Sequence, residues 1–464
     1  MDDEPMGEIV GEENPLQKGQ NACVALCLGI VLFPISLFLL GWNEHRYVCE
    51  DKNIIFADTK SVEVGCSSSG LTGEFAFFSC PIQESSLQTF YPCMFNTDSH
   101  MDCESDIGKA FSFKSVSASQ YVEMVQCKMN CQTETRKVNG RNQKVETCDY
   151  ESSYEPTYQS STDFRDQNLA SQRCNGYNPA QGNPRFPSNV DPGTSADSAA
   201  GPILVGDVAA SYTLNDKLVK QLTPDMDVQL ANVATNLTSN IVSPTQPPVI
   251  LTRSNVVING NYLQTCLPGN EQVGCVRISY KKSSSTSPSV LTSVGEGGMT
   301  EPAQAPGGWL CGPSAWQAIN AKKMDKATMI ATLKGENTTT VYILRILGVF
   351  MAWGAVYCMF SPIAAAADIL GDCINICPCG GYVEDCLEGI VTTVLCGLSC
   401  GIGCSCAFVV IGLVWLVMRP LYGSLMLLVA CCCCGGAGAL YTAYKGDKNS
   451  SQKELDYDSD INNE

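Results

Sequence analysis

The residues best able to do chemistry in this chain are its sulfurs. Among 464 residues there are 27 cysteines and only 2 histidines. His45 and His100 alone nearly exclude a His-rich metal site or a Ser-His-Asp hydrolase. Twelve of the 27 cysteines lie between positions 43 and 340: Cys49, Cys66, Cys80, Cys93, Cys103, Cys127, Cys131, Cys148, Cys174, Cys266, Cys275 and Cys311. No Cys-x-x-Cys pair occurs among them, so neither a zinc ribbon nor a thioredoxin-type redox centre is supported. An even number of scattered cysteines points instead to disulfides in an oxidising compartment. One bridge follows from register. Val138-Asn139-Gly140-Arg141 signals a type I′ hairpin between strand-like runs at Gln120–Thr135 and Lys144–Tyr150. A two-residue turn at 139–140 sets Cys131 opposite Cys148, at a non-hydrogen-bonded pair where Cα atoms come closest. No catalytic residue, cofactor site or metal site is expected.

A second group, Cys373, Cys377, Cys379 and Cys386, stands beside Asp372, Glu384 and Asp385. Its spacings match no standard zinc module, and zinc binding, lipidation and ordinary packing all stay open. The run Cys396-Gly-Leu-Ser-Cys400-Gly-Ile-Gly-Cys404-Ser-Cys406 interleaves thiols with Gly397, Gly401 and Gly403, and Cys431–Cys434 continue the pattern. Small residues so spaced let helices approach closely in lipid; palmitoylation or metal binding by the thiols are the alternatives. Arg345, Asp368 and Asp372 are the candidate intramembrane charges. Arg345 is expected to snorkel to the headgroups, and the two aspartates to lie on an amphipathic connector rather than a transport path.

The elements that hold these residues follow from charge and hydropathy. Only 16% of residues are charged, against about 25% in soluble proteins, and the net charge is −18. The deficit falls on a few segments, which indicates a membrane protein; the acidity argues against nucleic acid as a partner. Residues 22–42 form an apolar run long enough to cross a bilayer. An acidic leader and the absence of a small-residue cleavage site make it an anchor rather than a signal peptide. Residues 341–360, 393–418 and 421–443 are three further spans, the last two joined by Arg419-Pro420 as a tight hairpin. The expectation is an α+β membrane protein: four transmembrane helices, one amino-terminal and three carboxy-terminal, flanking a large β-rich, disulfide-containing luminal domain at 43–340. Residues 1–21 form an acidic cytosolic leader, 361–392 a cytosolic cysteine-containing connector, and 444–464 an acidic cytosolic tail. Lys and Arg counts near the spans favour a cytosolic large domain, but that rule weakens for long translocated domains. The cysteines favour the lumen. Asn236-Leu237-Thr238 is a glycosylation candidate; Asn337-Thr338-Thr339 lies too near the bilayer.

Within the large domain, strands are expected at 54–64, 73–78, 111–116, 249–262 and 273–280. A helical piece is expected at 207–222, with irregular stretches at 159–202 and 283–308.

Several short motifs occur in an order that resembles the transmembrane protein 43 (LUMA) family. They are Asn43-Glu44-His45-Arg46 after the first span, the strand Tyr121–Gln126, Cys174-Asn175-Gly176-Tyr177-Asn178-Pro179, and the element from Val205-Gly206-Asp207 to Lys217-Leu218. Gln272–Tyr280, Ser361-Pro362 with Asp368–Gly371, and Arg419-Pro420 complete the series. Cys275 stands where that family usually has Asp, and Cys127 where an aromatic is typical. The resemblance implies four spans, a large luminal domain, and residence in the endoplasmic reticulum and inner nuclear membrane. It also implies self-association and a non-enzymatic role as organiser of membrane protein complexes with emerin- and lamin-type partners in the lipid bilayer. A channel or transporter subunit is the alternative, and a luminal thiol-redox enzyme a weaker one.

Overall fold

The computed structural model describes residues 8–11, 15–95, 108–138, 141–188, 190–233, 251, 256–307, 311–366, 380–418, 421, 423–425 and 427–428. The chain divides into a β-rich unit (1–12, 56–306 and 313–330) and a helical unit (13–55, 307–312 and 331–464). Three described helices are long and apolar enough to cross a membrane, over Gln20–Lys60, Lys326–Ala366 and Thr393–Val417. The fourth expected span, 421–443, lies largely outside the described residues, as do the connector at 367–379 and the acidic tail.

In the β-rich unit an eight-stranded antiparallel sheet is built on the hairpin Ser117–Val138 and Arg141–Glu155. Val138 pairs with Arg141 and Cys131 with Cys148, so the ladder runs unbroken from the turn to Met124–Glu155. Val276–Lys282 lies on the other side of Ser117–Val138. Its alternation of buried and less buried residues is the two-residue period of a strand with one face in a core. That core gathers Phe90, Phe95, Phe113, Val122, Met124, Leu263, Ile278 and Tyr280. Tyr280 sits at its centre, with the Phe111 ring 5.1 Å and the Phe95 ring 5.8 Å away. Its hydroxyl donates to Gln120 Oε1 at 2.8 Å, which satisfies a wholly buried amide. Burial holds the Tyr280 phenol far above its ordinary pKa. The short strand Glu8–Gly11 pairs with the free edge of Arg141–Glu155.

A five-stranded sheet centres on Phe75–Ser79 and Ser289–Val294. Phe78 stacks on Tyr212 with centroids 3.8 Å apart. The Tyr212 hydroxyl donates to the Gly65 and Ser67 carbonyls, and burial pushes its pKa up to about 12.

Three local expectations need correction. The first membrane helix runs from Pro15 to Lys60, so 54–60 is helix where a strand was expected, and only Val62–Glu63 is extended. Buried Glu44, Val48, Asn53, Ile54 and Ala57 recur at helical spacing, and the helix ends where Ser61 Oγ bonds the Ala57 carbonyl. The piece expected to be helical at 207–222 holds the strand Tyr212–Leu214 and only four helical residues, Asp216–Val219, capped by the Asn215 side chain. The stretch 283–308 is not irregular. Ser289–Val294 is almost wholly buried because its polar groups have partners: Ser289 Oγ donates to the Lys322 carbonyl, and Thr292 Oγ1 to that of Glu301. Among the described residues the stretch 159–202 is mostly irregular, as expected, with only the helix Gln167–Arg173 and the strand Gly193–Ser198 as regular elements.

Tyr280→Phe removes the hydroxyl that donates to the buried Gln120 oxygen. It is expected to cost about 1–3 kcal/mol, read as a lowered thermal midpoint of the purified protein in detergent; an unchanged midpoint would contradict this account of the core.

Candidate functional site

In a hydrocarbon setting an unpaired carboxylate is among the most costly groups a chain can bury. The first membrane helix places one, Glu44, at 0% exposure. Two other helices answer it. Arg345, on Lys326–Met359, donates from Nε to Oε1 at 2.5 Å and from Nη2 to Oε2 at 2.6 Å. This is the two-pronged fit that suits a planar guanidinium to a carboxylate. Trp415, on Gly380–Met418, donates its indole N–H to the same Oε2. The guanidinium also lies over the rings of Tyr342 at 5.2 Å and Trp415 at 5.8 Å, and Tyr47 stacks on Trp415. Arg345 therefore has its partner on the first membrane helix, two residues beyond the apolar run 22–42.

Polar contacts continue along the same pair of helices. Asn43 donates to the Val341 carbonyl and Asn337 to that of Tyr47, each at 3.1 Å. Asn337 is buried within a helix, so the second sequon offers no accessible acceptor. Glycines set the approach of the helices: a Cβ on Gly348 would stand 2.6 Å from Leu40 Cδ2, and one on Gly403 2.9 Å from the Trp353 backbone. Gly397 and Gly401 meet nothing within 4 Å, so only one of the three glycines in the Cys/Gly run makes a close approach among the described residues. In that run Cys400 and Cys404 bring their sulfurs to 3.9 Å.

Disulfides join Cys49 to Cys311, Cys66 to Cys80, Cys127 to Cys174, Cys131 to Cys148 and Cys266 to Cys275; Cys93 is bonded as well. Cys131 and Cys148 are 4.0 Å apart at Cα. In the β-rich unit Arg277 pairs with Glu123 at 2.6 Å and lies between the rings of Tyr154, at 3.8 Å, and Tyr262, at 4.9 Å. Asn236, Asp368, Asp372, Cys373, Cys377, Cys379 and Cys431–Cys434 lie outside the described residues. Cys386 falls in the third membrane helix, but its side chain is not described.

Glu44 and Trp415 were not read from the sequence as partners of Arg345. The available signal was a carboxylate at the end of one apolar run and a cation near the start of the next.

Glu44→Gln and Arg345→Met are each expected to destabilise the protein by about 3–5 kcal/mol, and the double variant by much less than their sum. A double-mutant cycle on detergent-solubilised protein measures the coupling; additive losses would show that the pair does not act as a unit.

Of the comparisons with known proteins, the family model described as Transmembrane protein 43 matches residues 124–420. The matched region holds Arg277, Arg345 and Trp415 and begins after Glu44. No curated protein and no solved structure matches the chain.

Proposed function

The chain belongs to the transmembrane protein 43 family, and on that premise we propose that it is a non-enzymatic organiser of membrane protein complexes at the endoplasmic reticulum and inner nuclear membrane. The family is not a known enzyme family. The observation that carries the proposal is the convergence of three membrane helices on Glu44, whose two carboxylate oxygens are both engaged by Arg345 and Trp415. A charge so fully engaged serves as a clamp that fixes helix rotation and depth. A helical unit clamped in this way, in one chain with a large cross-linked β-rich unit, suits a protein whose work is to hold others. By family likeness the partners are further copies of the chain and emerin- and lamin-type proteins.

The disulfides favour an extracytosolic β-rich domain, with Asn236 as its glycosylation acceptor. That topology places a membrane crossing at 22–42 between Glu8–Gly11 and Arg141–Glu155, and so parts the strand pairing that joins them. The two arrangements exclude each other in a bilayer.

A channel or transporter subunit is the second reading. It draws support from buried polar atoms without a hydrogen-bond partner in the helical unit: Asn43 Oδ1, Asn337 Oδ1, Arg46 Nε and Nη2, and Trp353 Nε1. Such groups call for water.

Protease and glycosidase protection on intact microsomes is expected to shield the β-rich domain and expose residues 1–21; digestion of that domain from the cytosolic side would overturn the topology. Purification in mild detergent is expected to give oligomers with membrane-protein partners. A partnerless monomer that conducts ions in bilayers, with conductance lost in Arg345→Ala, would replace the organiser with the channel.

A further inference from the structure

His45 and Cys49 are four residues apart on the first membrane helix, a spacing that stacks two side chains on one face. Cys49 is bonded to Cys311, with Cα atoms 5.5 Å apart. The imidazole Nε2 lies 3.7 Å from Cys49 Sγ, and one donor atom from each of the three residues falls within 4.8 Å of the others. In tetrahedral zinc sites, with bonds near 2.0 Å to nitrogen and 2.3 Å to sulfur, neighbouring donors stand roughly 3.5–3.8 Å apart. The His45–Cys49 pair already has that spacing. Only the two bonded sulfurs are too close, and they would separate by less than about 2 Å on filling the site.

We propose that His45, Cys49 and Cys311 form a redox-gated site for a thiophilic metal ion, Zn²⁺ or Cu⁺. The Cys49–Cys311 disulfide is its closed state. A small thiol of the glutathione type opens it: the thiolate attacks one sulfur, a mixed disulfide forms, and a second thiol releases it. The net change converts one protein disulfide and two small thiols into two cysteine thiols and one small disulfide. The metal then binds both sulfurs and the neutral imidazole, releases the two thiol protons, and leaves one coordination position for water or an outside ligand. His45 is exposed and both cysteines are half-buried, so a reductant and an ion can reach the group.

A similar triad elsewhere does not share this property. Cys131, Glu146 and Cys148 also bring their donors together, but there the carboxylate is held by the Arg165 guanidinium. The imidazole offers a softer nitrogen donor, suited to the ions that thiolates select. The proposal is independent of the organiser reading, because it concerns what the site binds and not what the protein assembles with.

The test uses the full chain in detergent with Co²⁺ as a spectroscopic probe for zinc, before and after mild reduction by a phosphine. Sulfur-to-cobalt charge-transfer and tetrahedral d–d bands report the binding. Wild type is expected to take up one equivalent more after reduction than before. Cys49→Ser/Cys311→Ser should lose that equivalent, and Cys266→Ser/Cys275→Ser should keep it. His45→Gln leaves every disulfide intact, so its oxidised form reports folding separately. Its reduced form should bind at least about tenfold more weakly, since even an outer-shell partner is worth 10–100-fold. Equal uptake with or without reduction, or equal affinity in wild type, His45→Gln and Cys49→Ser/Cys311→Ser, would overturn the proposal. So would loss of the equivalent in Cys266→Ser/Cys275→Ser.

Discussion

The helical unit depends on the solvation of one carboxylate. Glu44 is cut off from water at 0% exposure, so the protein itself must supply the hydrogen-bond donors around it. Arg345 and Trp415 do so from two other helices, and the rest of the packing follows. To bring the guanidinium to Glu44, the first two helices must approach closely, and Gly348 makes room for Leu40 one turn before Glu44. To bring the indole to the same oxygen, the third helix must present Trp415 and, on the same side, Ala407 and Ile411, which pack around Leu40. In water such an ion pair would contribute little. Here its value lies in specificity, since few other rotations of these helices would leave all three groups satisfied.

The β-rich unit meets the same requirement with different means. Its strands bury polar side chains in several places and supply partners for many of them: Gln120 with Tyr280, Ser289 with the Lys322 carbonyl, and Asn183 with both backbone groups of Cys127. The last of these sits beside the Cys127–Cys174 bridge. Disulfides and side-chain bonds to the backbone together secure segments that regular pairing does not reach, such as the turn at Cys174–Tyr177.

What could be read from the sequence was local and periodic. The hairpin register followed from Asn139-Gly140, because a two-residue turn admits one pairing and the ladder keeps it for many residues. Apolar runs marked three helices long enough to cross a bilayer. Less legible were segments whose conformation depends on distant contacts. Ser-rich 283–294 looked irregular because its hydroxyls suggest solvent, whereas in the fold Ser285 and Ser289 bond to the Ala321 and Lys322 carbonyls, 36 and 33 residues away. The helix past Trp42 was hidden because Ile54-Ile55 have strand propensity and no helix breaker appears before Ser61. The clamp at Glu44 was the least legible feature, since Arg345 and Trp415 lie 301 and 371 residues from Glu44 along the chain.

The Cys49–Cys311 bridge spans 262 residues, nearly all of them in the β-rich unit. Chain-entropy reasoning assigns a loop of that length roughly 5–6 kcal/mol, an upper figure. Its topological effect is separate. Everything from Glu50 to Leu310 is a covalent ring whose two ends meet at a single sulfur–sulfur bond on the first membrane helix. One backbone cut anywhere in that ring severs no part of the molecule, and the nicked domain stays tethered by both of its flanks. After a single cut, separation of the two flanks therefore requires a second event, reduction of the bridge.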